Sequence, residues 1–190
     1  MSDLRNFRRI LCGVNPAAAL RELEERPELW DLITARQHYA GTAHADTQTV
    51  VLRGPTTLEG IFDNLEAVDF EVLNQLPATF ELLVRAARAV QAREVGRVMA
   101  VKLCAGGRVK PHVDTGRYAR HFARFHLVLS SSPECWFSAG GETVHMAPGE
   151  FWWFNHQVEH RVDNTRGRER IHLIVDMTAP GYTGALGVPW

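Results

Sequence analysis

The sequence predicts a mainly β protein, a double-stranded β-helix or jelly roll with flanking N-terminal α-helices. Two observations predict this. After about residue 95, short runs rich in Val, Ile, Phe and Trp succeed one another, each bounded by turn residues. Before that point the apolar spacing is mostly helical, with one strand-like run.

The elements are taken in chain order. Asn15 suits the N-cap of a first helix and Pro16 its first turn, with Leu20 and Leu23 as a narrow apolar stripe. A second short helix is predicted from Pro27, with Leu29, Leu32 and Ile33 facing inward. Thr47–Arg53 (TQTVVLR) reads as a strand. Leu76–Glu94 has helical spacing in Phe80, Leu83, Val84 and Ala87. Strands are predicted at 97–104, 123–130, 134–138, 142–146, 150–154, 158–163 and 169–177. They are separated by Gly106-Gly107, Ser130–Pro133, Gly140-Gly141, Ala147-Pro148-Gly149 and Thr165–Gly167. The 190 residues fit a single domain. Residues 1–95 should supply helices and outer strands, 97–177 the jelly-roll core, and 178–190 a Gly-rich tail or lid.

Composition narrows the function classes. Net charge is −1, so the total gives no reason to expect nucleic acid or a membrane surface as partner. The basic residues concentrate after residue 75, where an anionic ligand would be met. Cys12, Cys104 and Cys135 are odd in number and match no zinc spacing. They read as reduced thiols, with Cys104 and Cys135 as small apolar strand residues. No apolar run is long enough to span a membrane and no signal peptide opens the chain, so the cytoplasm is the expected location.

Lys110–Gly116 (KPHVDTG) sets His112 and Asp114 two residues apart, between a proline and a glycine. One His-x-Asp is a weak signal. The chain has a second, His44-Ala45-Asp46, without His or Arg partners at useful spacing. The first pair gains weight from two residues further along the chain. His160 lies on a late predicted strand, and Arg170 lies on the last strong one. Two imidazoles and a carboxylate on one face, with positions left open, suit an Fe(II) oxygenase. An arginine in the same barrel offers a fixed fork for a carboxylate. Strand parity puts Arg170, His172 and Ile174 on one face; Arg124 and His126 share a face in the same way.

Together, His112-x-Asp114, Arg124-Phe125-His126-Leu127, the run GEFWWFNHQVEHRVDN and Arg170-Ile171-His172-Leu173 with Asp176 resemble the aspartyl/asparaginyl β-hydroxylase family. The family is a branch of the Fe(II)/2-oxoglutarate dioxygenases. The spacing of the motifs is most similar to that of its small bacterial members, such as the proline cis-4-hydroxylases. The resemblance implies a cupin-like barrel in which His112, Asp114 and His160 hold Fe(II). It implies that Arg170 clamps the distal carboxylate of 2-oxoglutarate, with Arg124 and His126 completing the cosubstrate set and Arg124 near the C1 carboxylate. Asp114 fills the place that a halogenating relative would need open. The reaction implied converts 2-oxoglutarate and O2 to succinate and CO2 while a C–H bond is hydroxylated.

Substrate residues are less marked. Thr115–Arg124 (TGRYARHFAR) brings Arg117 close behind the metal ligands as a carboxylate clamp, with Tyr118 closing over it. Phe151–Phe154 alternates on its strand, so about half of it should line the barrel; Trp153 is taken as the substrate-facing member. Asp46, Thr47, Gln48 and Thr49, with Arg53, suit a substrate entrance. The expected substrate is an amino acid, free or in a small peptide. The alternatives are an Asp or Asn side chain of a peptide or protein, and, in another class, a non-redox cupin-type metal-binding or sensing domain.

Overall fold

The computed structural model describes residues 4–182. β1 (Phe7–Leu11) precedes α1 (Ala17–Glu24) and a 3-10 turn (Pro27–Asp31). α2 (Ala35–His38), β2 (Thr47–Gly54), β3 (Val68–Asp69), α3 (Glu71–Asn74) and α4 (Pro77–Ala89) lead to β4 (Glu94–Leu103). Then come β5 (Arg108–His112), α5 (Gly116–His121), β6 (Ala123–Ser130), β7 (Trp136–Ala139) and β8 (Glu142–Val144). β9 (Phe151–Phe154), β10 (His160–Asp163) and β11 (Arg170–Thr178) complete the described elements.

The strands form two antiparallel sheets. The larger runs β1-β9-β6-β11-β4-β2-β3 and the smaller β5-β10-β7-β8. This is the expected jelly roll. Gly140 and Gly141, both at positive φ, make the two-residue β7–β8 hairpin at a predicted break.

Alternation along the strands builds two cores. On β11, Ile171, Leu173 and Val175 face the helical layer, joining Leu127 of β6 and Leu82 and Leu83 of α4. Arg170, His172 and Ile174 point the other way, between the sheets. On β9, Phe151 joins the helical-side core with Trp153 at its margin, while Trp152 and Phe154 enter the inter-sheet core with Phe7 and Phe137.

The helical layer departs from the expected detail. Pro16, not Asn15, takes the N-cap position of α1; Asn15 stands one residue earlier and its Oδ1 accepts the Ala17 N–H at 3.0 Å. The segment at Pro27 is a 3-10 turn that ends at Asp31, so Leu32 falls just past it and is exposed while Leu29 is buried. In α4 the inward face is Thr79, Leu82, Leu83 and Ala86, and Phe80 is half-exposed: the buried stripe is turned by about one residue. Glu94 begins β4 and does not continue the helix. β1, β5 and α5 were not predicted. Cys135 is buried as expected, whereas Cys104 falls just past β4 and is exposed. Residues 183–190 of the expected tail or lid lie outside the described residues. No helix among the described residues is long and apolar enough to cross a membrane.

Candidate active site

Antiparallel pairing of β5 and β10 sets His112 directly opposite His160. Their rings lie 4.1 Å apart, centroid to centroid. Asp114 stands two residues after His112, and one donor atom from each of the three lies within 4.8 Å of the others. Both imidazoles are held the same way: His112 Nδ1 lies 2.8 Å from the Lys110 carbonyl, and His160 Nδ1 lies 3.0 Å from that of Val158. A carbonyl neighbour requires the proton on Nδ1 and leaves the Nε2 lone pair for a metal. Burial keeps both rings neutral and pushes His160 down to about 4. Burial alone would raise the Asp114 carboxyl, but Arg124 and the neighbouring histidines reverse this and hold it well below the usual carboxylate range. The donors are therefore two neutral imidazoles and one carboxylate, a set that fits Fe(II).

A buried relay orients that carboxylate. Arg124 donates from Nη1 to Asp114 Oδ2 at 2.6 Å. Its Nε and Nη2 hold Asp176 at 2.8 and 2.9 Å. Asp176 also accepts the Tyr118 hydroxyl at 3.1 Å. Arg124 and Asp176 are cross-strand partners on β6 and β11, so the sheet register itself fixes the pair. Two carboxylates thus surround the guanidinium where a cosubstrate carboxylate was expected.

On the inner side of the candidate metal ligands is a narrow cleft lined by His126, Phe137, Phe154, His160, Val162 and Arg170, among others. Arg170 is only 4 % exposed and has no carboxylate partner among the described residues. Its Nε reaches His172 Nε2 at 2.9 Å, and its guanidinium lies over the Phe137 ring. Burial lowers Arg170 to about 10, so it is still a cation at neutral pH. His172 Nδ1 lies 3.1 Å from His126 Nδ1, and the buried His126 Nε2 has no partner. A buried cation and an unpartnered imidazole nitrogen in an apolar cleft fit a dicarboxylate such as 2-oxoglutarate.

On the outer side the ligands open into a cavity of about 630 Å³. His112, Asp114, Tyr118 and Arg124 form its floor; Ile33, Val51, Leu58, Phe62, Phe70 and Met99 form much of its wall. The segment carrying Leu58 and Phe62 is tied to the ligand-bearing turn. Tyr118 N–H donates to the Phe62 carbonyl at 2.9 Å, and Arg117 N–H to Asp63 at 2.7 Å. Gly116 permits this approach: its φ is +92° and a Cβ would collide with the Phe62 backbone.

Of the expected substrate residues, Tyr118 lines this cavity. Arg117 is exposed and does not line it, because α5 turns its side chain outward. Trp153 does not line it either, since its parity on β9 sends it to the helical side, against Tyr182. Of the residues expected at the entrance, Thr49 and Arg53 line the cavity; Thr47 lines the inner cleft instead, and Asp46 and Gln48 line neither. Two residues gain a place that sequence reasoning had not assigned. The His44 ring packs edge-on against His112 at 4.7 Å, and Arg36 borders both the cavity and the cleft.

A family model described as aspartyl/asparaginyl beta-hydroxylase matches residues 41–180. The chain belongs to that family. This β-hydroxylase homologue is an Fe(II)- and 2-oxoglutarate-dependent dioxygenase that uses O2, and the non-redox cupin alternative falls away. A search of curated sequences finds no match. Among solved structures, the fold is similar to a Pseudomonas putida prolyl-4-hydroxylase, with a TM-score of 0.51 and 15% identity over 93% of this chain and 94% of that one. It is also similar to a Trichoplax adhaerens prolyl hydroxylase bound to a hypoxia inducible factor peptide (TM-score 0.55, 11% identity, 93% and 85% covered). A third is a 2OG-Fe(II) oxygenase family oxidoreductase from Burkholderia pseudomallei (TM-score 0.52, 13% identity, 70% and 66% covered). At these identities the likeness concerns the fold.

The buried histidines give the hydroxylase a pH signature. Burial depresses His44 to about 2, His160 to about 4, and His126 and His172 well below 6.5. Between pH 6.5 and 4 the unfolded chain therefore binds more protons than the folded one, and stability falls as pH falls. Each such imidazole removes up to about 1.4 kcal/mol per pH unit. Urea unfolding of the metal-free protein at pH 7 and pH 5 should show a clear loss of stability at pH 5. Equal stability would mean that these rings ionise in place.

Proposed function

We propose that the enzyme hydroxylates an unactivated C–H of an amino-acid-derived substrate, with His112, Asp114 and His160 as the Fe(II) ligands. One observation carries this reading: the ligands stand between a cleft holding a buried arginine with no carboxylate partner among the described residues and a large, mostly apolar cavity. When bound, the iron and 2-oxoglutarate supply the oxidising chemistry, with succinate and CO2 as co-products. Arg170 and His126 would hold the distal carboxylate of 2-oxoglutarate. Arg124 and Asp176 fix the Asp114 carboxylate, so its second oxygen is presented at one angle. Tyr118 stiffens that relay from the cavity side. Leu58, Phe62 and Phe70 give the cavity an apolar wall against which the substrate's carbon chain would lie.

The cavity is of the size that suits drug-sized ligands. A free small amino acid would leave most of it to water, which favours a larger amino-acid derivative or a peptide. An Asp or Asn side chain within a peptide is the second reading, supported by the family alone. The free thiols suit a reducing cytoplasm, and the near-neutral charge gives no support for a nucleic acid or membrane partner.

The test is turnover. Purified enzyme with Fe(II), 2-oxoglutarate and a panel of free amino acids, N-acyl amino acids and short peptides should form succinate in step with the gain of one oxygen atom by one substrate class. Absence of succinate formation with every panel member, in iron-loaded protein, would refute the reading.

A further inference from the structure

We infer that the outer cavity is built for an amphiphilic carboxylate: an acid group held by Arg36 and Thr49 deep in the site, with an apolar body extending outward. This rests on the proposed hydroxylase reading and names its substrate class, of which an N-acylated amino acid is the simplest form.

The cations around the cavity are already spoken for, with one exception. Arg124 is held by Asp114 and Asp176. Arg53 is paired with Asp69 at 2.5 Å and donates to the Val95 carbonyl. Arg97 donates to the carbonyls of Ile61 and Asn64 and covers the Tyr118 ring. Arg36 has no carboxylate partner among the described residues. Its contacts are a Met99 sulfur at 3.7 Å and His44 Nε2 at 3.4 Å, both weak. Burial lowers it only to about 10, so it carries its charge at neutral pH.

A second observation points the same way. Thr49 is 2 % exposed, lines the cavity, and its hydroxyl has no hydrogen-bond partner. A buried hydroxyl without a partner is costly and rare in a finished structure. Together with the half-satisfied guanidinium it leaves donors for an acceptor-only group, and a carboxylate is such a group. Arg36 borders the metal side of the cavity, whereas Ile33, Leu58, Phe62 and Phe70 form wall that offers no polar partner. A ligand with its acid at Arg36 therefore runs its apolar part along that wall, and its carbons nearest the acid lie nearest His112 and Asp114. Arg36 precedes the span matched by the family model, residues 41–180, so this assignment is not inherited from the match.

Binding separates this inference from the catalytic one. N-octanoylglycine, N-acetylglycine and the amide of N-octanoylglycine are titrated calorimetrically into the protein with Fe(II) and 2-oxoglutarate, under anaerobic conditions. The octanoyl acid should bind at least 10-fold more tightly than either the acetyl acid or the amide. Arg36→Met should lower its affinity about 10- to 100-fold, as expected for loss of a charged hydrogen bond, and Arg36→Lys should recover part of it. In Arg36→Met the affinity for 2-oxoglutarate should be unchanged. Equal binding of acid and amide by the wild-type protein would overturn the inference without any variant. So would an Arg36→Met protein that lost 2-oxoglutarate and kept the octanoyl acid, since Arg36 would then serve the cosubstrate. Turnover of 2-oxoglutarate, measured separately, reports on the hydroxylase reading alone.

Discussion

Replacing His160 with alanine will leave a folded protein that neither retains Fe(II) nor turns over 2-oxoglutarate. The ring is one of only two imidazoles in the candidate ligand set, and it is buried opposite His112 across the β5–β10 pair. Outer residues that merely orient a ligand are worth about 10–100-fold in metal affinity, so loss of a ligand itself should exceed about 100-fold. Circular dichroism should be near wild type, because the cross-strand hydrogen bonds are main-chain and survive the change. Metal content after desalting and succinate formation are the readouts. Wild-type iron retention in this variant would remove His160 from the ligand set.

The second large effect is at Arg170. Arg170→Leu should weaken 2-oxoglutarate binding by about 30-fold or more, since losing one partner of a buried charge pair costs about 2–5 kcal/mol. The effect on stability should have the opposite sign. Without a bound dicarboxylate, Arg170 would be a buried cation with no carboxylate partner among the described residues, which is a cost. Leucine removes that cost, so Tm should hold or rise while cosubstrate affinity collapses. A Tm loss that parallels the affinity loss would make Arg170 a structural residue.

The strands were legible because their signal is local. Val, Ile, Phe and Trp in alternation, stopped by Gly and Pro, marked β6 to its ends and β11 to within one residue. The helical stripe of α4 was less legible: Phe80 and Val84 compete with Leu82 and Ala86 for the inward face, and only docking on the sheet decides. The His112-x-Asp114 pair and His160 were visible as chemistry, and antiparallel pairing supplied the contact that spacing could not. Strand parity also contained more than was taken from it. It separates Trp152 and Phe154 from Phe151 and Trp153, yet not which pair faces inward. Arg36 carried no local sign at all. Its role appears only when each neighbouring cation has been matched to its anion, which is knowledge of three dimensions. His44 was set aside for lack of partners along the chain, and its partner, His112, is 68 positions further on.

The proposed metal ligands and the proposed cosubstrate arginine sit on opposite walls of the barrel: His112 and His160 on the small sheet, Arg170 on the large one. Between the walls lies a layer of rings, with Phe137 and Phe154 4.6 Å apart and Phe7 5.7 Å from Phe137. On the proposed assignment, the thickness of that layer would set how far a metal held by His112 and His160 stands from the Arg170 guanidinium, and so the length of diacid that fits between them. Phe154→Ala would leave a cavity in that layer, so the fit for a five-carbon diacid should worsen while every proposed coordinating and clamping group stays in place.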